Sequence, residues 1–64
     1  MKRKEVERRL RGFGWRFDRH GSQHDIWTNG ENQVEVLRHP EINEKLARFG
    51  ILKTAQQNPG SRGI

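Results

Sequence analysis

The sequence predicts an α+β fold, a two-layer sandwich with the element order α-β-β-β-α. Three observations predict it. Apolar residues recur at helical spacing near the N-terminus (Val6, Leu10, Phe13) and again after Pro40 (Ile42, Leu46, Phe49, Leu52). Between them lie short runs that read as strands, and these runs are cut by Gly21-Ser22 and by Asn29-Gly30. Hairpin-linked strands make an antiparallel sheet, and two amphipathic helices bury their apolar stripes by covering one face of it.

The first helix spans residues 2–12. Val6, Leu10 and Phe13 follow i, i+4, i+7, while Arg8, Arg9 and Arg11 fall elsewhere on the helical wheel. Gly12 and Gly14 end it. Residues 15–19 alternate aromatic and charged side chains, the period of a half-buried strand, and Phe13, Trp15 and Phe17 are assigned to the core rather than to base stacking. After the Gly21-Ser22 turn a second strand covers residues 24–28. Here strand parity conflicts with composition. Ile26 and Trp27 are adjacent, so one of them is exposed if the strand is regular; a bulge at Gln23 or Asp25 would remove the conflict.

Asn29-Gly30 is a strong hairpin signal, since both central positions of the tight turn need positive φ. The third strand covers residues 33–37. Pro40 then opens a second helix over residues 41–55, with Ile42, Leu46, Phe49 and Leu52 on its buried face and Gly50 as a weak point costing up to about 1 kcal/mol relative to alanine. One domain therefore covers residues 1–56, and residues 57–64, with turn chemistry and little to bury, form a flexible tail. This order of elements is also that of double-stranded-RNA-binding domains, which read shape, phosphates and 2′-hydroxyls more than base sequence.

Composition narrows the class of partner. The 64 residues contain no cysteine, so disulfides, thiolate metal sites and thiol catalysis are excluded. No apolar run approaches the roughly 18 residues of a membrane span, which points to no membrane contact and a cytoplasmic location. Thirteen lysines and arginines against eight acids give a formal net charge of +5. That surplus favours a polyanion, RNA or DNA, although a merely solvated surface has the same composition. Helix-turn-helix and ribbon patterns that would read DNA bases are missing.

The chemistry-bearing stretch is Gly21-Ser22-Gln23-His24-Asp25-Ile26-Trp27, where a turn delivers a histidine into a strand. An imidazole titrates near neutral pH and can both take and give a proton. Cleavage of RNA without a metal requires the 2′-hydroxyl to lose a proton and the departing 5′-oxygen to gain one. His24 is the candidate for one or both transfers. Arg19 and Arg38, at strand ends, are candidates for holding phosphate oxygens, and Ser22 for donating a hydrogen bond. The plain alternative for His24 is a strand histidine that only satisfies its own hydrogen bonds. The spacing of His20 and His24, with His39 beyond, resembles a zinc ligand set, but a turn separates the first two and no carboxylate cluster accompanies them; no metal and no other cofactor is expected. Next to Pro40, His39 also reads simply as a residue that shapes the start of the second helix.

Three segments together carry a family resemblance: Gly12-Phe13-Gly14-Trp15 after the first helix, residues 21–30, and Arg38-His39-Pro40-Glu41-Ile42-Asn43-Glu44. In this order they resemble the HicA (YcfA-like) toxins, the mRNA-cleaving partners of HicB antitoxins, and the likeness runs from about residue 4 to residue 55. The resemblance implies a double-stranded-RNA-binding-like fold, an endoribonuclease acting on mRNA, and neutralisation by a HicB-type antitoxin, with DNA met only indirectly through that antitoxin. It implies that His24 is catalytic and that Arg38 and His39 contact RNA. The competing reading is a non-catalytic RNA-binding module on the same fold.

Overall fold

The computed structural model describes residues 1–60. Its elements are α1 (Arg3–Gly12), β1 (Arg16–His20), β2 (His24–Thr28), β3 (Gln33–Leu37), α2 (Glu44–Leu46), a π-helical turn (Ala47–Ile51) and α3 (Leu52–Gln57). The last three form one continuous helical run. The strands make a single antiparallel sheet in the order β1-β2-β3, which leaves β2 in the centre. Val6 and Leu10 of α1, Trp27, Val34 and Val36 of the sheet, and Ala47, Ile51, Leu52 and Ala55 of the second helical run share one core. Both helical segments thus cover one face of the sheet, giving a two-layer α+β fold. Among the described residues no helix is long and apolar enough to cross a membrane.

Helix α1 ends as its glycines suggest. Gly14 takes φ 88°, its N–H returns to the Arg11 carbonyl at 3.0 Å, and the Trp15 N–H returns to that of Leu10 at 2.9 Å. This is the closure that a left-handed glycine permits, and it turns Trp15 directly into the core.

The second helix departs from expectation in its start and its face. Residues 41 and 42 are extended: Lys2 pairs with Glu41, and the Ile42 N–H donates to the Met1 carbonyl at 2.8 Å. The helical run begins only after Asn43, whose side chain accepts the Leu46 N–H at 3.1 Å as an N-cap. Ile42 is buried from this extended segment, so its position does not propagate into the helix. The π-helical turn then adds a residue to one turn and rotates the face, and the helix buries Ala47, Ile51, Leu52 and Ala55. Leu46 and Phe49 are left 47% and 71% exposed, against the expected core face. Gly50 falls inside the π-helical turn.

The sheet resolves the parity conflict without a bulge at Gln23 or Asp25. Pairing of β2 with β3 is unbroken from His24 to Thr28, and both Ile26 and Trp27 are buried. Trp27 faces the helices. Ile26 lies on the other face, shielded because β2 is central, with Arg19 and Glu35 opposite it on the two neighbouring strands. The irregularity is in β1, where the register shifts between Phe17 and Arg19 and leaves Asp18 bulged. β1 is an edge strand and is exposed along its length, so Phe17 is 42% exposed rather than a core residue. The second hairpin is wider than a two-residue turn: Thr28 pairs with Gln33, and the Asn29 side chain accepts the N–H groups of Glu31 and Asn32 at 2.8 and 2.6 Å.

The start of the expected tail is tied down. The Asn58 carbonyl accepts from Trp15 Nε1 at 2.8 Å and from Asn29 Nδ2 at 2.9 Å, and the Gly60 N–H donates to the Phe13 carbonyl at 2.8 Å. Residues 61–64 lie outside the described residues.

Candidate active site at the first hairpin turn

The bulge in β1 sets which side chains meet. Phe17 pairs with Trp27, Arg19 with Ile26 and His20 with Asp25, so the skipped residue, Asp18, brings Phe17 and His20 to the same face as Trp27 and Asp25. In a regular strand Phe17 and His20 would point to opposite faces. Here their rings lie 4.9 Å apart, centroid to centroid.

Asp25 is the hub of this end of the sheet. Its side chain is 12% exposed, and Oδ1 lies 2.8 Å from Nδ1 of His20 and 3.4 Å from Nε of Arg38. A buried carboxylate is costly unless it is paired and hydrogen-bonded, and these two partners meet that need. Arg38 also holds the turn itself, with one amino group donating to the carbonyls of Gly21 at 2.5 Å and Ser22 at 3.0 Å. The turn closes when the Gly21 N–H donates to the His24 carbonyl at 2.6 Å. Glycine fits here because a Cβ at position 21 would stand 3.0 Å from that same carbonyl oxygen.

The other candidate residues are distributed as follows. His24 opens β2 on the face opposite Asp25; it is half-buried, beside Leu37 across the strand pair, and among the described residues its ring makes no hydrogen bond. Arg19 is on His24's face, exposed and paired with the adjacent Asp18. Ser22 is exposed at the turn, and His39 is exposed in the connection after β3. The structure therefore joins Arg38 to the segment carrying Ser22 and His24, and leaves Arg19 and His39 apart from the Asp25 cluster. Among the described residues no three His, Asp or Glu side chains are grouped to hold a metal ion.

Two residues of the cluster, His20 and Asp25, share no motif in the sequence. A signal exists: they stand symmetrically about the closed Gly21–His24 turn, and residues so placed face each other across a hairpin.

The positive charge of the molecule is less free than the composition suggests. On α1, Glu5 pairs with Arg8 at 2.5 Å and Arg9 at 2.8 Å; the hydrogen bond from Arg8 first, then that from Arg9, holds its carboxyl below its usual range. Arg11 lies over the Trp27 ring at 5.1 Å. A cleft of about 270 Å³ is lined by Lys2, Arg3, Lys4, Pro40 and Glu41, and Arg3 donates to the Arg38 carbonyl at 2.9 Å. That bond links the cleft to the strand end that bears the site.

Compared with family models, with curated proteins and with solved structures, the chain finds no match.

Proposed function

We propose that the protein is a HicA-type endoribonuclease toxin, with a double-stranded-RNA-binding-like arrangement of its two layers, that cleaves mRNA by imidazole acid–base catalysis and is neutralised by a HicB-type antitoxin. The observation that carries this reading is the meeting of two segments on which the resemblance rests. Arg38, from the Arg-His-Pro segment, donates to the carbonyls of Gly21 and Ser22, which lead into His24. Segments distant in sequence thus form one clamped turn, as residues of a common site do. The Lys2–Lys4 cleft, bonded through Arg3 to the Arg38 backbone, supports a path for the RNA backbone beside that turn.

In this mechanism the nucleophile is the RNA's own 2′-hydroxyl, which attacks the adjacent phosphorus as an imidazole takes its proton. His24 is the residue to which the resemblance assigns proton transfer. The products are a 2′,3′-cyclic phosphate, or the 3′-phosphate from its hydrolysis, and a 5′-hydroxyl. DNA and 2′-O-methylated RNA, lacking the nucleophile, resist cleavage.

End-group analysis of RNA incubated with the purified protein, with and without EDTA, tests the reading. Cyclic or 3′-phosphate ends formed equally in EDTA are the expected result, and folded His24→Ala protein is expected to have lost the activity. A 3′-hydroxyl product, or full inhibition by EDTA, overturns the mechanism. One observation favours the second reading, a non-catalytic RNA-binding module: among the described residues nothing hydrogen-bonds the His24 ring to orient it. RNA binding without any cleavage would establish that alternative.

A further inference from the structure

His20 has what His24 lacks, a partner that orients its ring. Asp25 Oδ1 lies 2.8 Å from its Nδ1. An ionised carboxylate only accepts hydrogen bonds, so this contact selects the Nδ1–H tautomer, which in the neutral ring leaves the Nε2 lone pair free. A buried aspartate prepares a histidine as general base in this way in Ser-His-Asp sites. Phe17 packs against the ring from the side, its centroid 4.9 Å away. The imidazole nevertheless remains open to a ligand, its side chain 69% exposed against 12% for Asp25. Arg38, beside the same carboxylate oxygen at 3.4 Å, places a cation within one side chain of this base.

We propose that His20 is a catalytic residue of the RNA cleavage and that Asp25 is its positioning residue, an inference that rests on the ribonuclease reading. Nε2 of His20 takes the 2′-hydroxyl proton while the 2′-oxygen forms its bond to phosphorus. The bond from phosphorus to the 5′-oxygen then breaks, and that oxygen takes its proton from His24, the proton-transfer residue of the ribonuclease reading, which solvent reprotonates as His20 gives its own proton up. No proton is gained or lost, no oxidant or reductant is required, and the products are the cyclic phosphate and the 5′-hydroxyl. The Asp18 bulge gains a functional meaning, because it is the feature that brings Phe17 to the face on which His20 meets Asp25.

The test compares His20→Asn, Asp25→Asn, Asp25→Glu and His24→Ala with the wild-type chain, measuring single-turnover cleavage across pH and RNA affinity in parallel. His20→Asn is expected to lower the rate about 10²-fold or more with affinity unchanged, because a placed acid–base group contributes at least that much. Asp25→Asn is expected to act in the same direction and Asp25→Glu to recover part of the loss. Long-range ¹H–¹⁵N NMR of the wild-type protein should show His20 as the Nδ1–H tautomer, with that preference lost in Asp25→Asn. His20 is exposed, so its variant retains the fold even where a change at buried Asp25 does not. Wild-type cleavage by His20→Asn, or an Nε2–H tautomer, overturns the inference and leaves the ribonuclease reading standing when His24→Ala is inactive. Absence of cleavage by the wild-type chain overturns both.

Discussion

Arg38 reaches back across the first hairpin to donate to the Gly21 carbonyl at 2.5 Å, which ties the end of β3 to the turn between β1 and β2. The same guanidinium donates to Ser22 and stands beside Asp25, so one side chain joins three parts of the candidate site. Hydrogen bonds from a charged donor contribute about 1.5–3 kcal/mol, and partial exposure moves this clamp toward the lower end. Arg38→Ala is expected to cost about 1–2 kcal/mol in urea unfolding with an unchanged m-value. Arg38→Lys should recover only part of it, because an ammonium lacks the planar fork that serves the turn and the carboxylate together. Full recovery by lysine would mean that charge alone suffices.

The second helix allows a sharp contrast between two apolar residues. Ile51 is buried in the core, and Phe49, the larger side chain, is 71% exposed. Ile51→Ala is expected to cost about 2–4 kcal/mol from lost burial and the cavity left behind. Phe49→Ala should fall within about 0.5 kcal/mol of wild type. A reversed order in thermal or urea unfolding would show that the helix uses the face its apolar spacing first suggests.

RNA binding should be strongly salt-dependent, and the cleft lysines should carry part of that dependence. Lys2→Ala with Lys4→Ala, and separately Arg19→Ala, are expected to weaken binding across RNA sequences and to flatten the plot of log affinity against log salt by about 0.7 per lost phosphate contact. Equal slopes for the lysine variant and wild type in a fluorescence titration would remove the cleft from the RNA path.

Glu5 links the charge pattern of α1 to acid stability. Its carboxyl is held below the ordinary 4.5 by the hydrogen bonds from Arg8 and then Arg9. A group whose pKa is depressed by folding contributes stability above its unfolded value, and that contribution disappears as pH falls through the depressed one. Glu5→Gln should therefore lower Tm at neutral pH by a small amount, as an exposed pair does, and the two proteins should converge well below pH 4.5. A constant Tm difference across that range would separate the effect of the residue from its charge.

Much of the fold was legible in the residues because its signals are local. Val6 and Leu10 mark the buried stripe of α1, Gly14 takes the positive φ that closes it, and the Gly21-Ser22 and Asn29-Gly30 segments fall between strands. The candidate site was legible only as far as its segments. His24, Ser22 and Arg38 could be named from sequence, but a one-residue register shift in β1 depends on how an edge strand pairs, and that shift gives His20 and Phe17 a common face.

What the sequence determined by itself is therefore the α+β class, the order of elements and the basic character of the surface, all properties of neighbouring residues or of composition. Tertiary structure alone decided the rest. Extended pairing of residues 41–42 with the N-terminal residues delayed the second helix to Asn43, and the π-helical turn within it rotated Phe49 out of the core in favour of Ala47 and Ile51. Burial of Asp25 in the central strand made a carboxylate seek both His20 and Arg38, residues that no periodicity connects. The physical reason is the same in each case: a buried polar group or an apolar face is satisfied by whatever the fold brings near it, and local spacing does not encode which distant segments those are.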